Sequence, residues 1–86
     1  MIDDTSIKND GTILIGNNIR KAREAAGMKP GKLVQEVNLR GADMTIFSLS
    51  KIEANTQHIR ASQLRAIKEA LNCSYEVLFE TASDEE

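Results

Sequence analysis

Between Leu14 and Ala26 the apolar residues Ile15, Ile19, Ala22 and Ala26 recur every three or four positions, with Arg20, Lys21 and Glu24 on the other side. This spacing predicts an amphipathic helix, and Gly27 behind it is suited to the left-handed residue that ends one. Pro30 fits a first helical turn, and Leu33, Val34 and Val37 form a second stripe that runs to Leu39 or Arg40 before Gly41. Thr45 is a good N-cap for a third helix with Leu49 and Ile52 facing inward, ending near Ala54 where Asn55 breaks it. After a loop from Asn55 to Arg60, Leu64, Ile67 and Leu71 stand at i, i+3 and i+7 and define a fourth helix. Asn72 can close it, but its start lacks an ideal cap. Ser74 caps a last turn or two whose apolar residues are Tyr75, Leu78 and Phe79. No segment alternates as a strand would, so the expected fold class is all-α, a bundle of five helices. Its one unusual connection is the long turn from Asn38 to Met44.

A chain of 86 residues has room for one small core but not for a core and a deep substrate cleft, so an enzyme is not expected. There is no Gly-rich phosphate loop and no nucleophile with a neighbouring base. One cysteine, Cys73, excludes an internal disulfide, and with His58 as the one histidine a structural zinc site lacks ligands. No cofactor is expected. The apolar run Ile13-Leu14-Ile15 is too short for a signal or a membrane span, which points to a cytoplasmic chain with no membrane partner.

The formal charge of −2 conceals a segregation: residues 14–80 hold ten Lys and Arg against seven Asp and Glu, a net of +3. Residues 1–13 sum to −2 and residues 81–86 to −3. The charge pattern divides the chain into an acidic N-terminal tail over 1–12, a mildly basic domain over 13–80 and an acidic C-terminal tail over 81–86. The tails are expected to be solvated ends, with self-inhibition as the alternative.

Three motifs carry a family resemblance. Ile15-Gly16-Asn17-Asn18-Ile19-Arg20-Lys21-Ala22-Arg23 follows an apolar-Gly-x-x-Ile-Arg-x-x-Arg pattern, and Leu49-Ser50-Lys51-Ile52-Glu53 follows Leu-Ser-x-Ile-Glu. The closing pattern is matched by Leu64, Ile67, Ala70, Leu71, Ser74, Leu78 and Phe79. From Ile13 to Glu80 the chain resembles the phage-repressor or Cro-like helix-turn-helix domains, also called the xenobiotic-response-element type. The resemblance implies a five-helix lambda-repressor-like bundle with the third helix as the recognition helix. It also implies an ion pair between Arg23 and Glu53, joining the first helix to the end of the third.

The same resemblance implies a sequence-specific regulator of double-stranded DNA, of phage, mobile-element or antitoxin-like type, acting as a homodimer and expected to repress. Position in the motif places Ile46, Phe47, Ser48, Ser50 and Lys51 at bases or nearby phosphates, with Thr45 as cap and phosphate ligand. Lys29, Lys32, Arg40 and Arg60 flank the two presumed DNA-facing helices and are expected either to grip phosphates jointly or to be ordinary surface charge, and Gln57 stands in the loop after the third helix. There are departures. Pro30 replaces the usual phosphate-binding Gln, Gln57 replaces a basic residue, Val34 replaces a small one, and the turn after the second helix is longer. The alternative function is a protein-interaction module, an anti-repressor or antitoxin-like protein with weak or no DNA binding.

Overall fold

The computed structural model describes residues 6–7 and 14–81. Five helices dominate it: α1 (Ile15–Ala25), α2 (Pro30–Leu39), α3 (Ile46–Glu53), α4 (Ala61–Leu71) and α5 (Tyr75–Leu78). Two short strands, β1 (Ser6–Ile7) and β2 (Ile59–Arg60), pair antiparallel with Ser6 opposite Arg60 and Ile7 opposite Ile59. The architecture is all-α with this small ribbon added.

The four longer helices end in the same way. The left-handed residues are Gly27, Gly41, Asn55 and Asn72, and each follows a helix end. The next amide reaches back to close the last turn: Met28 N–H donates to Arg23 O, Ala42 to Val37 O, Thr56 to Lys51 O and Cys73 to Lys68 O. This is the Schellman arrangement, which satisfies carbonyls that have no partner within the helix. Gly fills two of these positions because it has no Cβ to clash in the left-handed region, and Asn the other two because its short polar side chain tolerates that region better than most.

The core gathers the inward stripes: Ile15 and Ile19 from α1, Leu33 and Val37 from α2, Leu49 and Ile52 from α3, Leu64, Ile67 and Leu71 from α4, and Leu78 from α5. α2 lies against α4 and α3, while α1 lies against α3 and α5. At Gly16 the approach of α1 to the end of α3 is closest, since a Cβ there would stand 1.7 Å from the Ile52 carbonyl oxygen. Only glycine permits it. Asn18 is buried in the same region, and its Nδ2 donates to the Leu78 and Glu80 carbonyls at 2.9 and 3.0 Å, which ties the last helix to the first.

Two features depart from the sequence expectation. The ribbon was not signalled, because two residues cannot display an alternating pattern; it places Ser6 and Ile7, assigned to the N-terminal tail, against the body of the domain, with Ile7 packed on the core. The start of α4 also has a partner after all: Gln63, three residues into the helix, accepts from the Arg60 amide through Oε1 at 3.0 Å. The acidic residues Asp3, Asp4, Asp10, Asp84, Glu85 and Glu86 lie outside the described residues. Among the described residues no helix is long and apolar enough to cross a membrane.

Candidate nucleic-acid interface

α3 is short, eight residues, and its two faces differ sharply. Leu49 and Ile52 are fully buried, whereas Phe47 is 77% exposed and Ile46 48%. Ser50 and Lys51 are exposed as well. A rotation of about 100° per residue explains the division: Phe47 is two residues from Leu49 and points away from the core, while Ile46 is three residues from it and lies at the edge.

The first turn of α3 is closed by a reciprocal cap. Thr45 Oγ1 accepts from the Ser48 amide at 3.1 Å, and Ser48 Oγ accepts from the Thr45 amide at 3.0 Å. Ser48 Oγ also donates to the Thr45 carbonyl at 2.9 Å. These hydroxyls are thus engaged with the helix end, and Ser48, expected from the sequence to meet the partner, has its proton directed back to its own cap. Ser50 and Lys51 are the polar residues of α3 that face outward.

The long turn into α3 is held from both sides by amide side chains. From α2, Asn38 Nδ2 donates to the Met44 carbonyl at 2.8 Å and its Oδ1 accepts from the Met44 amide at 3.1 Å. From α4, Gln63 Nε2 donates to the Asp43 carbonyl at 2.7 Å. Ala42 and Met44 are buried between these anchors. These hydrogen bonds hold the turn on a fixed path into α3.

Beside the cap lies an open cleft of about 500 Å³, lined by Asp43, Met44, Thr45, Ser48, Gln57, His58, Arg60 and Gln63. It brings together four sequence-predicted residues, Thr45, Ser48, Gln57 and Arg60. The other four lining residues, Asp43, Met44, His58 and Gln63, stand outside the sequence-predicted set; a Gln three residues inside a helix start was the available signal for the last.

The cations divide into two groups. Lys32 Nζ and Arg40 Nη1 both contact Glu36, at 3.0 and 2.6 Å, each four residues away along α2. Hydrogen bonds from Arg40 and then Lys32 hold the Glu36 carboxyl below its ordinary range. This neutralising carboxylate was also missed, although the Lys32-Glu36-Arg40 spacing of four was visible. Lys29, Lys51 and Arg60 have no acidic partner at ion-pair distance among the described residues.

Behind α3, Arg23 and Glu53 form a two-pronged pair: Nε to Oε2 at 2.7 Å and Nη2 to Oε1 at 3.0 Å. A third donor of Arg23, Nη1, reaches the Met28 carbonyl at 2.9 Å. The hydrogen bond to Glu53 is the main reason the guanidinium is held even more firmly protonated than usual. This pair joins α1 to the last residue of α3 and fixes the helix from the inner side. Among the described residues no group of three His, Cys, Asp or Glu side chains is placed to hold a metal ion. Comparison with known proteins gives no further guide to this interface: no family model, no curated protein and no solved structure matches the chain.

Proposed function

We propose that the chain is a sequence-specific regulator of double-stranded DNA in which α2 and α3 form a helix-turn-helix and α3 enters the major groove. The observation that carries this reading is the presentation of α3: its inner stripe is buried, its outer face is uncovered, and Lys51 stands on that outer face. A helix reads base edges only when its scaffold holds it in this way. The net charge of +3 over residues 14–80 supports attraction to phosphate, and Lys29, Lys51 and Arg60 are among the cations with no acidic partner at ion-pair distance among the described residues. One such module makes few base contacts, so the working form is a homodimer on a palindromic site, acting as a repressor of phage, mobile-element or antitoxin-like type. Tyr75, Val77 and Phe79, exposed around α5, supply apolar surface for pairing.

A second reading is favoured by Phe47, whose exposed aromatic ring suits the anchor of a protein–protein interface. Mobility shift on random duplex DNA across a salt series separates the two. A DNA regulator binds at low salt and weakens steeply as salt rises. Failure to bind at any salt leaves the interaction module standing.

A further inference from the structure

We infer that α3 selects its duplex through the C5-methyl groups of thymine, with Phe47 as the main specificity-determining residue and Ile46 beside it; this rests on the DNA-binding reading. The cap spends the polar side chains of the first turn. Thr45 and Ser48 hydrogen-bond to one another's backbone and hydroxyl groups, so the outward part of that turn consists of Ile46 and Phe47. Neither side chain can donate or accept a hydrogen bond.

The major groove presents donors and acceptors at every base pair but only one apolar group, the thymine methyl. A phenyl ring placed over any other base edge would strip water from a polar atom and return no hydrogen bond, which is unfavourable. The ring therefore discriminates in both directions, towards a methyl and away from a cytosine amine or guanine oxygen. Ile46 and Phe47 are consecutive and point about 100° apart, so they meet different bases. The favoured site carries thymines at neighbouring positions.

Charge argues for DNA as the occupant of this face. Lys51 follows Phe47 by one helical turn and is exposed, which puts an ammonium and an aromatic ring on the same side of α3. It has no acidic partner among the described residues. A ring that reads a methyl and a cation that reaches a phosphate or a guanine are together complementary to the groove.

The test begins with selection of binding sites from a random duplex library using the full chain, followed by anisotropy titration of the selected duplex. Each central thymine is then replaced by deoxyuridine, which removes the methyl and leaves pairing unchanged. The expected result is a loss of about fourfold per contacted methyl, the worth of burying one such carbon. Phe47→Ala should bind the thymine duplex more weakly, prefer it less over random DNA, and be indifferent to the uridine change at the contacted position. Because Phe47 is exposed, the variant should keep its helical circular dichroism, which serves as the control. Binding without thymine preference, or a uridine effect equally large in Phe47→Ala, overturns the inference while leaving DNA binding in place. No binding of the unaltered chain to any duplex at low salt overturns the DNA reading itself, and this inference with it.

Discussion

Replacing Glu53 with Ala removes both carboxylate acceptors of Arg23 and leaves a guanidinium whose side chain is only 10% exposed. Breaking a buried ion pair from one side costs about 3–5 kcal/mol, because the remaining charge stays out of water. Arg23 keeps its bond to the Met28 carbonyl, which places the expected loss at the lower end, about 3 kcal/mol. For a chain of 86 residues, total stability is on the order of 4–13 kcal/mol, so the change is large but leaves a measurable folded population in the upper part of that range. A domain of this size loses roughly 4–8 °C of Tm per kcal/mol, so a drop of about 12–24 °C is expected. Urea denaturation of Glu53→Ala, Arg23→Ala and the double variant closes a mutant cycle. The double variant should be less damaged than the two single losses added together, because it strands no charge. Single losses below about 1 kcal/mol, with no coupling between them, would refute the argument, since that is the behaviour of a solvated surface pair.

Gly16→Ala should destabilise by more than about 2 kcal/mol, because the new methyl meets the Ile52 carbonyl and outweighs the gain in helix propensity; an unchanged or raised melting temperature would mean that α1 and α3 can separate freely. Glu36→Gln releases Lys32 and Arg40 and should raise low-salt affinity for random duplex DNA, with a steeper salt dependence by about one unit of log–log slope; unaltered affinity would place α2 away from phosphate. The folded-state pKa of Glu36 is depressed, so its contribution to stability is present above its ordinary value of 4.5 and is lost as pH falls through the lower folded value. Thermal melts of Glu36→Gln should therefore lack that part of the acid-induced loss. Changing Asp3, Asp4 and Asp10 to Asn and removing residues 82–86 should strengthen low-salt binding and lose its effect near 1 M salt, where the Debye length is about 3 Å; an equal affinity at every salt would make the acidic ends inert. These substitutions retain Ser6 and Ile7 and so keep β1 paired.

The sequence exposed most strongly what depends on local chemistry. Four helix ends could be read because Gly27, Gly41, Asn55 and Asn72 are residue types that tolerate a left-handed backbone, and all four adopt it. The inward stripes were equally visible, since Leu49 and Ile52 repeat at a helical interval and are buried. Long-range contacts were less so. Nothing near Ile7 marks its pairing with the buried Ile59, because the two are far apart in sequence and two-residue strands display no alternating pattern. At the site, the outward position of Phe47 followed from geometry, but the engagement of Ser48 in the cap did not, as a serine at that position can equally point to solvent. Lys32 and Arg40 share Glu36, and proximity in sequence alone does not say which rotamers meet.

The amide clasps on the turn before α3 bear on how salt experiments are interpreted. Asn38 and Gln63 hold the backbone at Asp43 and Met44 through neutral hydrogen bonds, which dissolved ions do not screen. The charged link behind the helix, Arg23 to Glu53, is shielded from water and is screened far less than an open pair. The posture of α3 is thus insulated from ionic strength, while Lys29, Lys51 and Arg60 on the outside are not. On the proposed DNA-binding reading, raising the salt would change how strongly this surface attracts phosphate without changing the shape it presents, so the slope of affinity against salt would count ionic contacts made by a constant scaffold.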